Sequence, residues 1–172
     1  MGKRIVKEMI SWIMVLAIAF LLAFVINRFV IYKVVVPTGS MENTIMTGDK
    51  VFTFRLSYLF SEPKRGDIVV FPFPDDEKVD YIKRIIGVGG DNIEIRDGQL
   101  YINDEPAIED YLLEPMRKED FGPVRVPEGY YFMMGDNRNT SLDAREWDNK
   151  FVDGDKIKGK ALFKYPDFSW LN

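Results

Sequence analysis

Hydrophobic and polar positions along the chain follow two regimes. From Met9 to Ile26 the residues "MISWIMVLAIAFLLAFVI" run for eighteen positions without a charge. At 1.5 Å per residue a helix of that length covers about 27 Å, close to the thickness of a bilayer core. The residues "FVIY" carry the run past Asn27 and Arg28, and the Arg28 guanidinium can snorkel to the headgroups. The stretch is longer than the apolar core of a cleaved leader, and no small-x-small site with a mature start follows it. A transmembrane helix over 9–31 is therefore expected, after a short segment 1–8. Lys3, Arg4 and Lys7 precede it while Arg28 and Lys33 follow, a count that leans toward a cytoplasmic N-terminus.

Beyond residue 31 the period shortens. "KVFTF" at 50–54, "DIVVF" at 67–71 and "YIKRIIGV" at 81–88 are rich in β-branched residues and bounded by Gly, Pro or Asp. In "NIEIRDGQLYIND" at 92–104 the pair Asp97-Gly98 separates two alternating runs, a hairpin signal. "GYYFMMGD" at 129–136 and "DKIKGKALFKY" at 155–165 complete the set, and no useful helical period recurs outside the first span. The expected fold is mainly β: a single N-terminal transmembrane helix, then an antiparallel β-sheet domain over 32–172. About 91–125 reads as an inserted hairpin or small lobe, because 103–125 is crowded with Glu, Pro and charge.

Composition narrows the chemistry. The 172 residues carry a net charge of −4 and no Lys/Arg cluster, which argues against a nucleic-acid partner. Zero cysteines exclude disulfides, thiolate catalysis and Cys-based metal sites. Zero histidines exclude Ser-His-Asp triads and the common zinc sites, which leaves Lys, Asp, Glu or Tyr as bases.

Several pattern matches carry little. "SEPK" at 61–64 has the S-x-x-K spacing, but Pro63 disfavours the helical turn that would bring Lys64 back to Ser61. "GVGGDN" at 87–92 lacks the last glycine and the following helix of a dinucleotide fingerprint. "NTS" at 139–141 is a glycosylation sequon by pattern alone. Lys156, Lys158 and Lys160 are expected on the wet face of a strand, with contact to anionic lipid as the alternative. The apolar "LSYLF" at 56–60 either dips into a membrane interface, with Tyr58 at headgroup level, or joins the core.

Three segments hold the reactive residues. "VVVPTGSMENTI" at 34–45 presents one serine, Ser40, in a turn. In "YIKRIIG" two adjacent cations interrupt an apolar strand, with Tyr81, Lys83 and Ile85 on one face and Ile82, Arg84 and Ile86 on the other. If both faces are covered, at least one cation is partly buried. A buried lysine must find a partner or lose its proton, whereas arginine stays charged. Lys83 is therefore the candidate base and Arg84 a structural cation. "GDNRNTSLDAREW" at 135–147 adds Asp136, Arg138, Asp143 and Arg145, paired charges able to lock a loop beneath a site, with Asp136 an available partner for Arg84.

In this order after an N-terminal span, "PTGSMENTI", "RGDIVVF", "YIKRIIGVGGD", "GDNRNTSLDAREW" and "GDKIKGKALFKY" resemble the type I signal peptidases. The resemblance implies a membrane-bound Ser-Lys endopeptidase that removes N-terminal signal peptides from exported preproteins. It would cut after small residues at the first and third positions before the cut. It also implies a single-pass protein of the cell membrane, N-terminus cytoplasmic and catalytic domain extracytoplasmic. By motif position Ser40 would be the nucleophile and Lys83 the general base. Thr38 and the Ser40 N–H would form the oxyanion hole, and Ser141 would orient the lysine. Arg84, Asp136, Arg138, Asp143 and Arg145 would form the scaffold, and Val36, Met41 and Ile82 would line shallow substrate pockets. Its expected partners are signal peptides and the lipid bilayer, with no obligate protein partner evident and no cofactor or metal. The chain departs from the family pattern in Thr38, where serine is commoner, Asn43, where proline is usual, and Ala144, where serine is frequent. Two other readings compete: a self-cleaving Ser-Lys protein of the repressor type, and an anchored β domain that only binds peptides.

Overall fold

The structure, a computed structural model, describes residues 2–171; the side chains of residues 2, 3 and 5, including Lys3 of the charge count, lie outside that description. Helix α1 (Gly2–Val25) passes into one π-helical turn, Ile26–Val30. Val6–Val30 is long and apolar enough to cross a membrane, and its most apolar stretch is buried against nothing else in the chain. A helix apolar on every side and packed on no protein suits lipid. The helix stops one residue earlier than the apolar run suggests. Ile31 already belongs to strand β1 (Ile31–Val35), whose β-branched residues pair with β2 (Lys50–Phe54) from Ile31 opposite Phe54 to Val35 opposite Lys50.

The domain is built on antiparallel pairs. After β2 come β3 (Ile68–Phe73), β4 (Asp76–Gly87), β5 (Asn92–Arg96), β6 (Gln99–Ile102), β7 (Glu105–Pro106), β8 (Phe121–Arg125), β9 (Tyr130–Met134), β10 (Val152–Asp153) and β11 (Gly159–Tyr165). Seven strands form one sheet in the order β1-β2-β11-β3-β4-β9-β10, and four form a second in the order β7-β6-β5-β8. Asp97 and Gly98 both have positive φ, 49° and 80°, as the tight turn between β5 and β6 requires. Four strands escape the sequence pattern: β1 hides in the apolar run, β7 and β10 have two residues each, and β8 contains Pro123.

Strand alternation sorts the core. Val69 and Phe71 enter the larger cluster, with Ile85, Phe132 and Trp147, while Ile68 and Val70 enter a smaller one with Val36, Met41, Ile45 and Ile82. The second sheet packs into the same core: Ile93, Ile95, Leu100 and Ile102 belong to the larger cluster. Covering both faces of β4 buries both cations, Lys83 and Arg84, at 3 % exposure each.

The spaced lysines differ from expectation. Lys160 is in β11, but Lys156 ends a 3-10 turn and Lys158 precedes the strand. Each pairs with an acid: Lys156 with Glu77, Lys158 with Asp80 and Lys160 with Asp67. The stretch 56–60 divides between its two readings. Tyr58 packs against the larger core and donates to Asp67 Oδ2 at 2.8 Å, whereas Phe60 is 95 % exposed.

Candidate active site

Ser40 sits in a 3-10 turn, Gly39–Met41, preceded by Thr38 in extended conformation. The turn is closed by Glu42 N–H donating to Gly39 O, and Ile45 N–H donates to Met41 O at 2.7 Å. Met41 and Ile45 are fully buried in the smaller core, which fixes the turn from below. Lys83 comes from the middle of β4, opposite Val69 of β3. Its Nζ lies 2.5 Å from Ser40 Oγ, 43 residues away in sequence, and 5.5 Å from the centre of the Tyr81 ring. Burial lowers the Lys83 pKa from 10.5 to about 8, against the opposing pull of Asp143 and Asp136, with Arg145 adding to the fall.

Thr38 Oγ1 is 3.4 Å from Ser40 Oγ. Ser141 departs from the arrangement that the motif implies. Its Oγ is buried and has no hydrogen-bond partner among the described residues, so it does not hold the lysine amine in this conformation. It lies instead beside Gly135, where an added Cβ would collide with Ser141 Oγ and with Ser40 O. Only glycine permits that approach of the 135–145 loop to the serine turn. Val36, Met41 and Ile82 are packed in the smaller core at 1 %, 0 % and 7 % exposure, so the three offer almost no open surface to a substrate here.

Two ion pairs lie close to the Ser40–Lys83 contact. Arg84 Nε and Nη2 donate to Asp136 Oδ1 and Oδ2 at 2.9 and 2.7 Å, and Thr44 Oγ1 donates to the same carboxylate at 2.5 Å. Arg145 Nε and Nη2 donate to Asp143 Oδ1 and Oδ2 at 2.8 and 2.9 Å, while Gly135 N–H donates to Asp143 Oδ2 at 3.1 Å. Such two-pronged pairs fix direction as well as charge. Desolvation opposes the Arg145 charge, but Asp143 and then Glu119 outweigh it and raise the Arg145 pKa.

Four residues at the site were not legible as such. Asn137 N–H donates to Ser40 O and Asn137 Nδ2 to Gly39 O, each at 3.1 Å, tying the serine turn to the charged loop. Glu109 takes both Arg138 Nη atoms, Glu119 takes Arg145, and the Tyr111 ring lies 4.0 Å from Arg84 Cζ. The polar stretch around Asn137 was visible as a motif. The other three lie in the Glu- and Pro-rich segment and reach their arginines across 26 to 29 residues, which no local period records. Asn139 of the sequon is also engaged, donating to Glu114 Oε1 at 2.8 Å.

The chain is similar in sequence and fold to known proteins. The family model described as signal peptidase, peptidase S26, matches residues 9–166. Signal peptidase I of Bacillus licheniformis is 37 % identical over 95 % of this chain and 91 % of its own length. Thylakoidal processing peptidase 1, chloroplastic, of Arabidopsis thaliana is 39 % identical over 76 % of this chain and 40 % of its own. Among solved structures, a signal peptidase I from Enterococcus faecalis is similar with a TM-score of 0.51 and 34 % identity, covering 58 % of this chain and 97 % of that one.

Proposed function

Because the chain belongs to the signal peptidase family, peptidase S26, we propose that it cleaves signal peptides from preproteins with Ser40 as nucleophile and Lys83 as general base. The observation that carries the reading is the 2.5 Å approach of Lys83 Nζ to Ser40 Oγ inside the folded core. With a pKa near 8, roughly a tenth of the amine is neutral at pH 7, and a substrate that covers the site raises that share by removing water.

The neutral amine takes the Ser40 hydroxyl proton as Oγ attacks the scissile carbonyl. The tetrahedral oxyanion is received by the Ser40 N–H, which has no partner inside its own short turn. Thr38 Oγ1 reaches the same oxygen after rotation about its Cα–Cβ bond. Donors so placed contribute about 3–4 kcal/mol each. The ammonium of Lys83 then protonates the leaving amine as the peptide C–N bond breaks, leaving an acyl-enzyme. Water, deprotonated by the same lysine, releases it. The ion pairs Arg84–Asp136 and Arg145–Asp143, and Arg138 beside them, hold the frame. Ser141, unpartnered at rest, turns toward the amine when substrate arrives. Substrate has to open the packing around Val36, Met41 and Ile82 before small side chains at the first and third positions before the cut can enter there.

The apolar helix anchors the domain, N-terminus cytoplasmic and sheets outside the cell membrane. Ser40 follows the helix end at Val30 by ten residues, at most about 35 Å of extended chain, so the site stays near the bilayer where a cleavage site emerges. The relatives matched over nearly the whole chain lend nothing to the self-cleaving or binding-only readings. Detergent-solubilised full-length protein mixed with a preprotein tests the proposal. Cleavage after a small-x-small site, lost in Ser40→Ala and in Lys83→Ala, is the expected result. Cleavage that survives either substitution refutes the dyad.

A further inference from the structure

The segment between β7 and β8 contains no helix or strand over residues 109–119, yet it makes a dense set of contacts with the site. Asn43, three residues after Ser40, donates through Nδ2 to Tyr111 O at 3.1 Å and Leu112 O at 3.3 Å. The Tyr111 ring covers Arg84, the neighbour of Lys83, and its hydroxyl donates to Glu109 Oε1 at 2.7 Å. Glu109 in turn accepts from both terminal nitrogens of Arg138, in a pair whose side chains are 6 % and 0 % exposed. Farther along, Arg117 N–H donates to Asn139 Oδ1, Met116 Sδ lies 3.6 Å from Arg145 Nη1, and Glu119 pairs with Arg145. One irregular segment thus touches the nucleophile turn, the strand of the lysine and both ends of the charged loop.

We propose that residues 109–119 are a strap that holds these three pieces in register, with Asn43, Glu109 and Tyr111 as positioning residues for the reaction. Asn43 stands where the family pattern usually has proline, and its φ of 86° is one that proline cannot adopt. Here that position supplies a side-chain clamp instead. Glu109 is needed because a guanidinium with no exposed surface cannot keep its place without a carboxylate. The strap lies beside the dyad, not in it, so its loss disturbs alignment and leaves the substrate-facing surface in place. Misalignment by about 1 Å lowers turnover by roughly a hundredfold.

The inference rests on the Ser40–Lys83 reading, and its test keeps the two apart. Full-length Asn43→Gly, Glu109→Gln, their combination, Tyr111→Phe and Ile108→Ser are assayed in detergent on a preprotein, beside Ser40→Ala and Lys83→Ala. Glycine accepts the left-handed backbone at 43 and removes only the clamp. Asn43→Gly and Glu109→Gln should each lower kcat by about tenfold or more with KM within about twofold. The double variant should be little worse than the poorer single one, because both release the same strap. Tyr111→Phe, which keeps the ring on Arg84 but loses the hydroxyl's bond to Glu109, should lower kcat by less than Glu109→Gln does, and Ile108→Ser, at a fully open position, should match wild type. If Glu109→Gln does not accumulate as folded protein, Asn43→Gly decides alone. Wild-type kcat in Asn43→Gly, losses confined to KM, or effects that simply multiply in the double variant would overturn the strap while Ser40→Ala and Lys83→Ala stay inactive. Activity in those last two would sink the dyad and the strap with it.

Discussion

Replacing Lys83 by methionine keeps much of the side-chain length and removes the amine, so it isolates what burying that amine does to stability. The wild-type lysine is 3 % exposed, and burial lowers its pKa from 10.5 to about 8. At about 1.36 kcal/mol per pKa unit, this fall corresponds to roughly 3 kcal/mol. The sign follows from proton counts. Between about pH 8 and 10.5 the unfolded chain holds more of this proton than the native one, so stability rises with pH across that window. The penalty is fully present below about pH 8 and gone above about 10.5. Methionine removes it but deprives Ser40 Oγ of its partner, a loss of about 1 kcal/mol. Lys83→Met should therefore be more stable than wild type by about 2 kcal/mol at neutral pH, and above about pH 10.5 the sign should reverse, leaving it less stable by about 1 kcal/mol. Urea unfolding of the detergent-solubilised chain, followed by the fluorescence of buried Trp147, measures both curves. A variant less stable than wild type at pH 7, or a difference that does not change with pH, would refute the reasoning.

Other substitutions probe the surrounding frame. Asp136→Asn leaves the buried Arg84 guanidinium beside a neutral amide and should lower stability by about 3–5 kcal/mol, read as a large drop in the thermal midpoint. Gly135→Ala drives a methyl group into Ser141 Oγ and Ser40 O; kcat should fall by about a hundredfold in protein that still folds, as circular dichroism and turnover together would show. Thr38→Val should reduce kcat by about 100- to 1,000-fold with little change in KM, while Thr38→Ser retains most activity in the same assay.

Legibility in the sequence followed the range of the interactions involved. The period-2 runs located β2, β3, β4, β9 and the Asp97-Gly98 hairpin because alternation and turn chemistry are local. Lys83 stood out as a candidate base because a lysine inside the apolar run of β4 has to be explained by burial, and the structure does bury it, with its Nζ beside Ser40 Oγ. What local pattern did not carry was tertiary. Strand β8 was masked by Pro123, and β1 by the hydrophobicity it shares with the helix before it. Glu109, Glu119 and Tyr111 looked like ordinary polar-segment residues until the chain reversal brought them onto Arg138, Arg145 and Arg84. Ser141 shows the converse, a motif residue whose expected bond is absent from the resting arrangement.

The central claim is that an uncharged Lys83 removes the Ser40 proton, and the pH dependence of kcat/KM tests it most directly. Full-length protein acting on a preprotein should show a single-proton acidic limb with its midpoint at about pH 8, set by the free enzyme's lysine. A limb near pH 4, in the carboxylate range, or a rate that stays flat down to about pH 5, would contradict a lysine base.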